Sequence, residues 1–518
     1  MPITGLKMKQ PRTESFTTED GAQIPLLLEN LSKTYSVLEE TSRNRKTRLF
    51  DTFDWRLYRK NLICSISSSR FVIRDFAGNE IMQCRAPRKS RIFWSDIDDQ
   101  KTSELLKKYL SMRALLPLIS IEGVEHSFKI VNQDRKTVLR LQIEKYQALE
   151  GDTSMEMPVI ISIQELRGYE KPFDQVQKIL VRDLPQLGQY GSYIEQAFGI
   201  ARREPLDYGA KFQVNLEKEA TIGESVSVLC QALVESMAVN QPGVERDIDS
   251  EFLHDYRIGI RRTRSLLSLL RKKLPTRISY FEDEFKWLGS ITGPLRDIDV
   301  YLLKEDSYKS LVPEMFEPGL QSFFDDLASG RQQVLRTLRT ELNSERYERL
   351  LTDWQFFIED HDSELFGCKA HCKSTIDKII LKRFNSFVKR GSGITEESPD
   401  DALHTLRIRG KKFRYLLEFF RSYYAPQDID NFLKHMKKLQ DNLGDFNDLS
   451  VQIEMLQAKL DGLHGRNKKT LSLAAALGSL ITRLQTEHQK ERARFNRIFE
   501  KFNTESNRQL ILEMISND

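Results

Sequence analysis

The sequence predicts an α+β N-terminal domain built on antiparallel β strands, followed by an all-α domain of two pseudo-symmetric helical bundles. Three observations predict this fold. The first third alternates short apolar runs with turn residues. From about Leu216 onward helix follows helix, punctuated by Pro275, Pro294, Gly391 to Gly393, Pro399 and Pro426. Within that helical region a basic segment is written twice. The expected domains are residues 1–200 and 216–518, the second made of halves at about 216–365 and 366–518.

In the first domain, residues 127–132 and 137–144 flank Gln133-Asp134-Arg135-Lys136 and predict a hairpin. A second extended pair is predicted at 61–66 and 70–76, closed by Gly78-Asn79. Helical periodicity marks 103–113 and 174–184. Short strands with a few helices make an antiparallel α+β domain.

The repeated segment is Leu253-His254-Asp255-Tyr256-Arg257-Ile258-Gly259-Ile260-Arg261-Arg262-Thr263-Arg264, returning as Leu403-His404-Thr405-Leu406-Arg407-Ile408-Arg409-Gly410-Lys411-Lys412-Phe413-Arg414. In both copies the polar row His, Arg, Arg/Lys, Arg advances by three, four and three residues, the spacing of neighbours on one helix face. Leu253, Tyr256, Ile260 and Leu267 interleave with the first row, and Leu403, Leu406, Phe413 and Leu417 with the second. At about 100° per residue the cations lie beside the apolar stripe, at the edge of what must be buried. A single such row is an ordinary solvated face. Two in register point to a shared surface.

The repeat continues. The segment Lys286-Trp-Leu-Gly-Ser-Ile-Thr-Gly293-Pro-Leu-Arg-Asp297-Ile-Asp-Val300 aligns with Lys437-Lys-Leu-Gln-Asp-Asn-Leu-Gly444-Asp-Phe-Asn-Asp448-Leu-Ser-Val451. Each half is therefore expected to be a basic helix, a short break and a second helix, with further helices at 321–340 and 471–502. A pseudo-twofold axis between the halves would set the two basic rows near one another.

Composition narrows the class. Apolar content of 40% and charged content of 30% are those of a globular chain, and 79 Lys and Arg nearly cancel 75 Asp and Glu to leave +4. A polyanion partner must be argued from where the cations sit, not from their sum. Five scattered cysteines suit a reducing compartment. The cluster Cys368-Lys-Ala-His371-Cys372 lacks a second ligand pair for zinc and is read as part of a helical segment. Residues 1–19 show no signal-peptide pattern, and no run approaches eighteen apolar residues. The expected location is the cytoplasm, with no membrane partner.

On Leu253-His254-x-x-Arg257-x-x-x-Arg261-Arg262-x-Arg264, Arg296-Asp297-x-Asp299-Val300, Leu403-His404-x-x-Arg407-x-x-x-Lys411-Lys412-x-Arg414-Tyr415 and Leu439-Gln440-Asp441-x-Leu443-Gly444-Asp445-x-Asn447-Asp448, the helical region resembles a CHAD domain, the conserved-histidine α-helical domain. The resemblance implies a pair of four-helix bundles whose basic central surface binds inorganic polyphosphate.

The N-terminal third resembles a CYTH domain, the triphosphate tunnel fold, on residues 50–57, the strand 70–74 and Leu166-Arg167-Gly168-Tyr169-Glu170. Such enzymes open on a Glu-x-Glu-x-Lys strand that holds the catalytic metal. The region expected to correspond, residues 23–28, carries no carboxylate pair, and later strands supply isolated acids such as Glu144. Metal-assisted phosphoanhydride cleavage needs clustered oxygen ligands. The domain is therefore expected to be a degenerate, catalytically silent CYTH-like domain, with no cofactor and no metal site. Arg70, Arg74, Arg85 and Arg140 are cations through which it would touch phosphate chains.

The expected function is polyphosphate binding, including association with polyphosphate granules. The groove is assigned to His254, Arg257, Arg261, Arg262, Arg264 and Lys286 from the first half. His404, Arg407, Lys411, Lys412, Arg414, Lys434 and Lys437 come from the second. Arg offers forked donors to phosphate oxygens, Lys a point charge, and imidazole a further donor. Asp297 and Asp448 are read as internal counter-charges and Glu418 as the end of the second row. The alternatives are a nucleic-acid-binding module, for which only Tyr256 and Tyr415 are at hand as stacking aromatics, and a metal-dependent triphosphatase acting through the first domain.

Overall fold

The computed structural model describes residues 12–19, 21–188, 190–200, 204–209, 212–465 and 467–516. Much of the stretch searched for a signal peptide, residues 1–11, lies outside the described residues. The chain divides into two units, Met1–Ala210 and Lys211–Asp518.

The first unit is a nine-stranded antiparallel sheet with four α-helices. Its strands are β1 (Thr13–Thr18), β2 (Ser36–Asp51), β3 (Leu62–Ser67), β4 (Arg70–Asp75), β5 (Glu80–Arg85), β6 (Leu116–Val131), β7 (Thr137–Glu150), β8 (Thr153–Glu156) and β9 (Val159–Glu165). The order across the sheet is β1-β9-β7-β6-β2-β3-β4-β5, with β8 added beside β7. Helices α1 (Gln23–Ser32), α2 (Gln100–Leu110), α3 (Glu170–Asp183) and α4 (Tyr190–Ala197) cover it.

Both expected hairpins form. Thr137 begins β7 after a turn in which Arg135 takes a left-handed φ of 60° and the Lys136 N–H donates to Asn132 Oδ1 at 2.9 Å. Gly78, at φ 91°, closes the second pair. One expectation is corrected: residues 23–28, read as the counterpart of a first strand, lie in α1. Their buried positions, Ile24, Leu27 and Leu31, fall at helical spacing. The first strand is β1, whose one carboxylate, Glu14, accepts from the Gln177 amide. The motif at 50–57 is a structural turn. Asp51 accepts the backbone N–H groups of Thr52, Leu57 and Tyr58 at 2.6, 3.0 and 2.8 Å.

The second unit is all helical, with twelve α-helices among its described residues: α5 (Ile222–Glu245), α6 (Ser250–Leu270), α7 (Ile278–Ile291), α8 (Gly293–Leu302), α9 (Glu305–Lys309), α10 (Glu317–Leu342), α11 (Glu345–Glu359), α12 (Cys372–Gly391), α13 (Asp400–Phe419), α14 (Pro426–Asp461), α15 (Lys468–Phe502) and α16 (Glu505–Ser516). The predicted punctuation holds: Pro399 caps α13, Pro426 opens α14 and Gly391 ends α12. Every apolar residue picked out beside the basic rows is buried, from Leu253, Tyr256, Ile260 and Leu267 to Leu403, Leu406, Phe413 and Leu417. The Cys368 to Cys372 cluster only borders a helix. His371 caps α12 by accepting the Ser374 N–H, and Cys372 is its first residue.

The halves are alike but not identical. Where the first half breaks between α7 and α8, the second runs on as one 36-residue helix, α14. Pro294, which has no N–H to give, stands at the start of α8, and Asp445 holds the aligned place in α14. The halves also share a core in which Tyr308, Leu320, Phe323 and Phe324 pack with Leu456, Leu477, Leu480 and Leu484. Helix α5 is long and apolar enough by composition to cross a membrane, yet half of its most apolar window is buried in this unit.

Candidate functional site

Helices α6 and α13 pack side by side, and the α7 end of the first half flanks them. Between them lies a cavity of about 350 Å³. Six cations line it, Arg261, Arg264, Lys286, Arg407, Lys411 and Lys412, against two acids, Glu282 and Asp283. That local excess equals the +4 of the whole chain. The two repeated rows therefore meet across one groove, as the pseudo-twofold arrangement predicts. Ser265, Ser268 and Tyr415 add hydroxyls to its wall.

The cations crowd one another. Lys411 is pushed down to about 8, first by burial and then by Arg407 and Arg261, with only Asp448 opposing. Burial likewise lowers Arg257, Arg407 and Lys412, and neighbouring arginines add to it. A cluster that repels itself in the free protein is relieved when a multivalent anion enters. The Lys412 ammonium is steered by a 3.0 Å hydrogen bond to Ser268 Oγ, across from α13 to α6. Arg383 of α12, which the sequence reading passed over, adds to the field at Lys412. The repeat carries no sign of it, because α12 precedes the duplicated segment.

The remaining assigned residues take other places. Arg257 donates to Gly289 O at 2.8 Å and Thr292 Oγ1 at 2.7 Å, holding the α7–α8 junction beside Asp297. Its counterpart Arg407 reaches Asp448 at 3.5 Å, so both aspartates neighbour the same row position. Arg262 turns away from the groove. It pairs with Glu418 at 3.2 Å and stacks over Phe212 and Tyr415. Glu418 also accepts from Arg414 at 2.6 Å, so one carboxylate ties the ends of both rows together. Lys434 lines a different cavity, between α14, α15 and α16. Lys437 is exposed one turn before Gln440, whose amide donates to Gly410 O.

The two histidines sit at the heads of their rows, each touching the second helix of its half. His254 Nδ1 lies 3.0 Å from Arg296 Nη2. His404 Nδ1 lies 2.6 Å from Asn447 Oδ1. Arg296 and Asn447 occupy equivalent positions of the repeat.

The sheet unit holds a second cavity, of about 560 Å³, lined by Arg43 and Arg45 of β2, Arg70 and Arg74 of β4, and Glu125 and Glu144 of β6 and β7. Arg74 and Arg70 thus face a cavity, Arg140 lines a neighbouring one and Arg85 lines neither. Glu125 and Glu144 stand opposite each other in the β6–β7 register, which corrects the reading of Glu144 as isolated. They nevertheless do not suit the divalent metal that a CYTH resemblance implies. Arg45 holds Glu125 at 2.6 Å, and the Tyr146 hydroxyl donates to it at 2.9 Å. Burial and Glu125 push Glu144 up to about 7. Among the described residues no three His, Cys, Asp or Glu side chains gather as a metal site.

A duplicated cationic helix pair facing one groove, within an all-helical unit, defines a polyanion-binding class of site. Residues 229–457 match the family model of the CHAD domain, and the chain carries that domain. No curated protein matches the chain. Among solved structures it is similar to the CHAD domain of the plant Ricinus communis, at 24% identity and TM-score 0.48, covering 57% of this chain and 97% of that one. PptA from Streptomyces chartreusis is similar at 13% identity and TM-score 0.44, covering 54% and 100%. A Hippeastrum protein described as a putative adenylyl cyclase with a dominant triphosphatase activity matches at 9% identity and TM-score 0.25, covering 38% and 100%.

Proposed function

We propose that this protein binds inorganic polyphosphate in the groove between α6 and α13, acting as a binding protein in the cytoplasm and at polyphosphate granules. The observation that carries this reading is the meeting of Arg261, Arg264 and Lys286 with Arg407, Lys411 and Lys412 across one cavity, with two acids against them. Polyphosphate is a linear polyanion without base edges, so a line of donors at repeated spacing suffices to grip it. A row from His254 to Arg264 runs about 15 Å along its helix. Two rows offer forked guanidinium donors and ammonium charge to successive phosphates. Released counterions supply part of the affinity. Nucleic acid is the second reading, weakened because Tyr256 is fully buried and Tyr415 is covered by Arg262.

Retention on immobilised long-chain polyphosphate tests the proposal. The full chain should be retained and should elute with salt. The variant carrying Arg261→Ala and Lys411→Ala, with unchanged helical circular dichroism, should elute much earlier. Equal retention of the two proteins would remove the groove from the account.

The sheet unit is proposed as catalytically silent, because its two facing carboxylates are committed to Arg45, Tyr146 and a shared proton demand. Chelator-sensitive release of phosphate from triphosphate by the full chain would overturn this.

A further inference from the structure

The two row-heading histidines are not chemically equivalent. A guanidinium has no lone pair to offer, so the ring nitrogen facing it must accept. His254 Nδ1, 3.0 Å from Arg296 Nη2, is therefore the unprotonated nitrogen, and the neutral ring carries its proton on Nε2. Arg296 is fixed in turn by Ser250 O, to which its other arm donates at 3.2 Å. At the equivalent place in the second half the partner is an amide oxygen. Asn447 Oδ1, 2.6 Å away, accepts, so His404 Nδ1 carries the proton and the neutral ring leaves a lone pair on Nε2.

We infer that the two repeats hold their histidines in opposite tautomers, so that only His404 couples phosphate binding to proton uptake. This rests on the groove being a phosphate site. Neutral His254 offers Nε2–H to a phosphate oxygen as it stands. Neutral His404 presents a lone pair, which repels that oxygen. It becomes a donor only as an imidazolium, with Nδ1–H kept on Asn447 and Nε2–H turned to the phosphate. Proton uptake therefore belongs to the second half, whereas the first half carries the fixed charge of Arg296.

Charged groups around the two rings differ but do not alter this logic. Near His254 and Arg296 stand Glu251 and Asp255 of α6, and Asp297 and Asp299 of α8, the last paired with Arg331 of α10. Near His404 stand Asp400 and Arg407 on its own helix and Asp448 on α14. From α15, Arg492 holds Asp400 at 2.5 Å and His488 approaches it at 3.9 Å. These charges move the midpoint of a titration. The partner atom at Nδ1 decides which nitrogen holds the proton of the neutral ring.

Two-bond nitrogen–proton spectra of the full chain labelled with ¹⁵N-histidine read the tautomers directly, with His254→Gln and His404→Gln assigning the signals. In mildly alkaline buffer His254 should show the Nε2–H form and His404 the Nδ1–H form. Both rings in one tautomer would overturn the inference, whatever the groove binds. Addition of long-chain polyphosphate near neutral pH should then protonate His404 on both nitrogens and leave His254 neutral. In affinity titrations across the imidazole range, near 6.5, His254→Gln should keep the acid-side rise in affinity and His404→Gln should lose it. Loss of the rise in His254→Gln alone would also overturn it. Failure of polyphosphate to bind at all would sink the groove reading, while the free-protein spectrum would still decide the tautomers.

Discussion

At the scale of single residues the site is set by cations that burial has made uncomfortable. Lys411 illustrates this, with its amine brought down to about 8 from the usual 10.5 by burial, Arg407 and Arg261. Between those two values the unfolded chain holds more protons than the folded one, so the free protein should gain stability as pH rises through that window. A bound polyanion restores the proton, so affinity should fall as pH rises through about 8. Lys411→Arg keeps its charge there and should flatten that limb, which calorimetric titration at several pH values checks. An unchanged limb in that variant would place the proton elsewhere. In the sheet unit Glu144 has the opposite sign. Its acid is pushed up to about 7 from 4.5. The folded chain then holds the extra proton, and stability should fall as pH rises from about 4.5 to 7. Glu144→Gln should remove that decline in thermal melts. Arg262 looked from the sequence like a groove cation, but it is a structural one. Truncating it leaves Glu418 unpaired with Arg262 and exposes two ring faces, so Arg262→Ala should cost roughly 3 kcal/mol of stability. Its retention on polyphosphate, measured below the melting range, should change little.

At the scale of elements the groove is a helix pair, and either helix alone is half a site. Arg261→Ala with Arg264→Ala on α6, or Arg407→Ala with Lys411→Ala on α13, should each weaken polyphosphate binding about tenfold or more, on the order of 1.4 kcal/mol. Direct titration at fixed salt measures it, and a pair of variants that differ widely would mean that one helix carries the site. The pairing of these helices was legible in the sequence because the duplicated rows kept helical spacing beside apolar stripes, and those stripes are buried in full. Other parts were not legible. Residues 23–28 carried apolar positions compatible with either period, and the longer spacing from Ile24 to Leu31 decides for a helix. Strand β2 is mostly exposed and charged, so no apolar alternation announced it, although Arg43 and Arg45 share a face and reach the sheet cavity. The break at Pro294 was visible. That α14 would ignore the matching break was not, since Gly444 is tolerated inside a helix that Pro would end. Lys434 was misdirected because spacing along α14 says which residues share a face, not which neighbour that face meets.

At the scale of the whole molecule a nearly neutral chain concentrates its excess charge in one place. Six cations and two acids line a groove in a protein whose formal charge is only +4. Such a site acts over about one Debye length, near 8 Å at physiological salt, so binding should be strong at low salt and fall steeply as salt rises. Base-specific recognition would need groove-reading side chains or open stacking faces. The central claim is that this groove selects a phosphate chain rather than any polyanion. Competition at equal phosphate concentration and fixed salt tests it most directly, with the full chain bound to labelled long-chain polyphosphate and challenged by duplex DNA or single-stranded RNA, and the reverse. The account predicts that polyphosphate displaces both nucleic acids and that neither displaces polyphosphate. Displacement of polyphosphate by DNA or RNA at equal phosphate would contradict it.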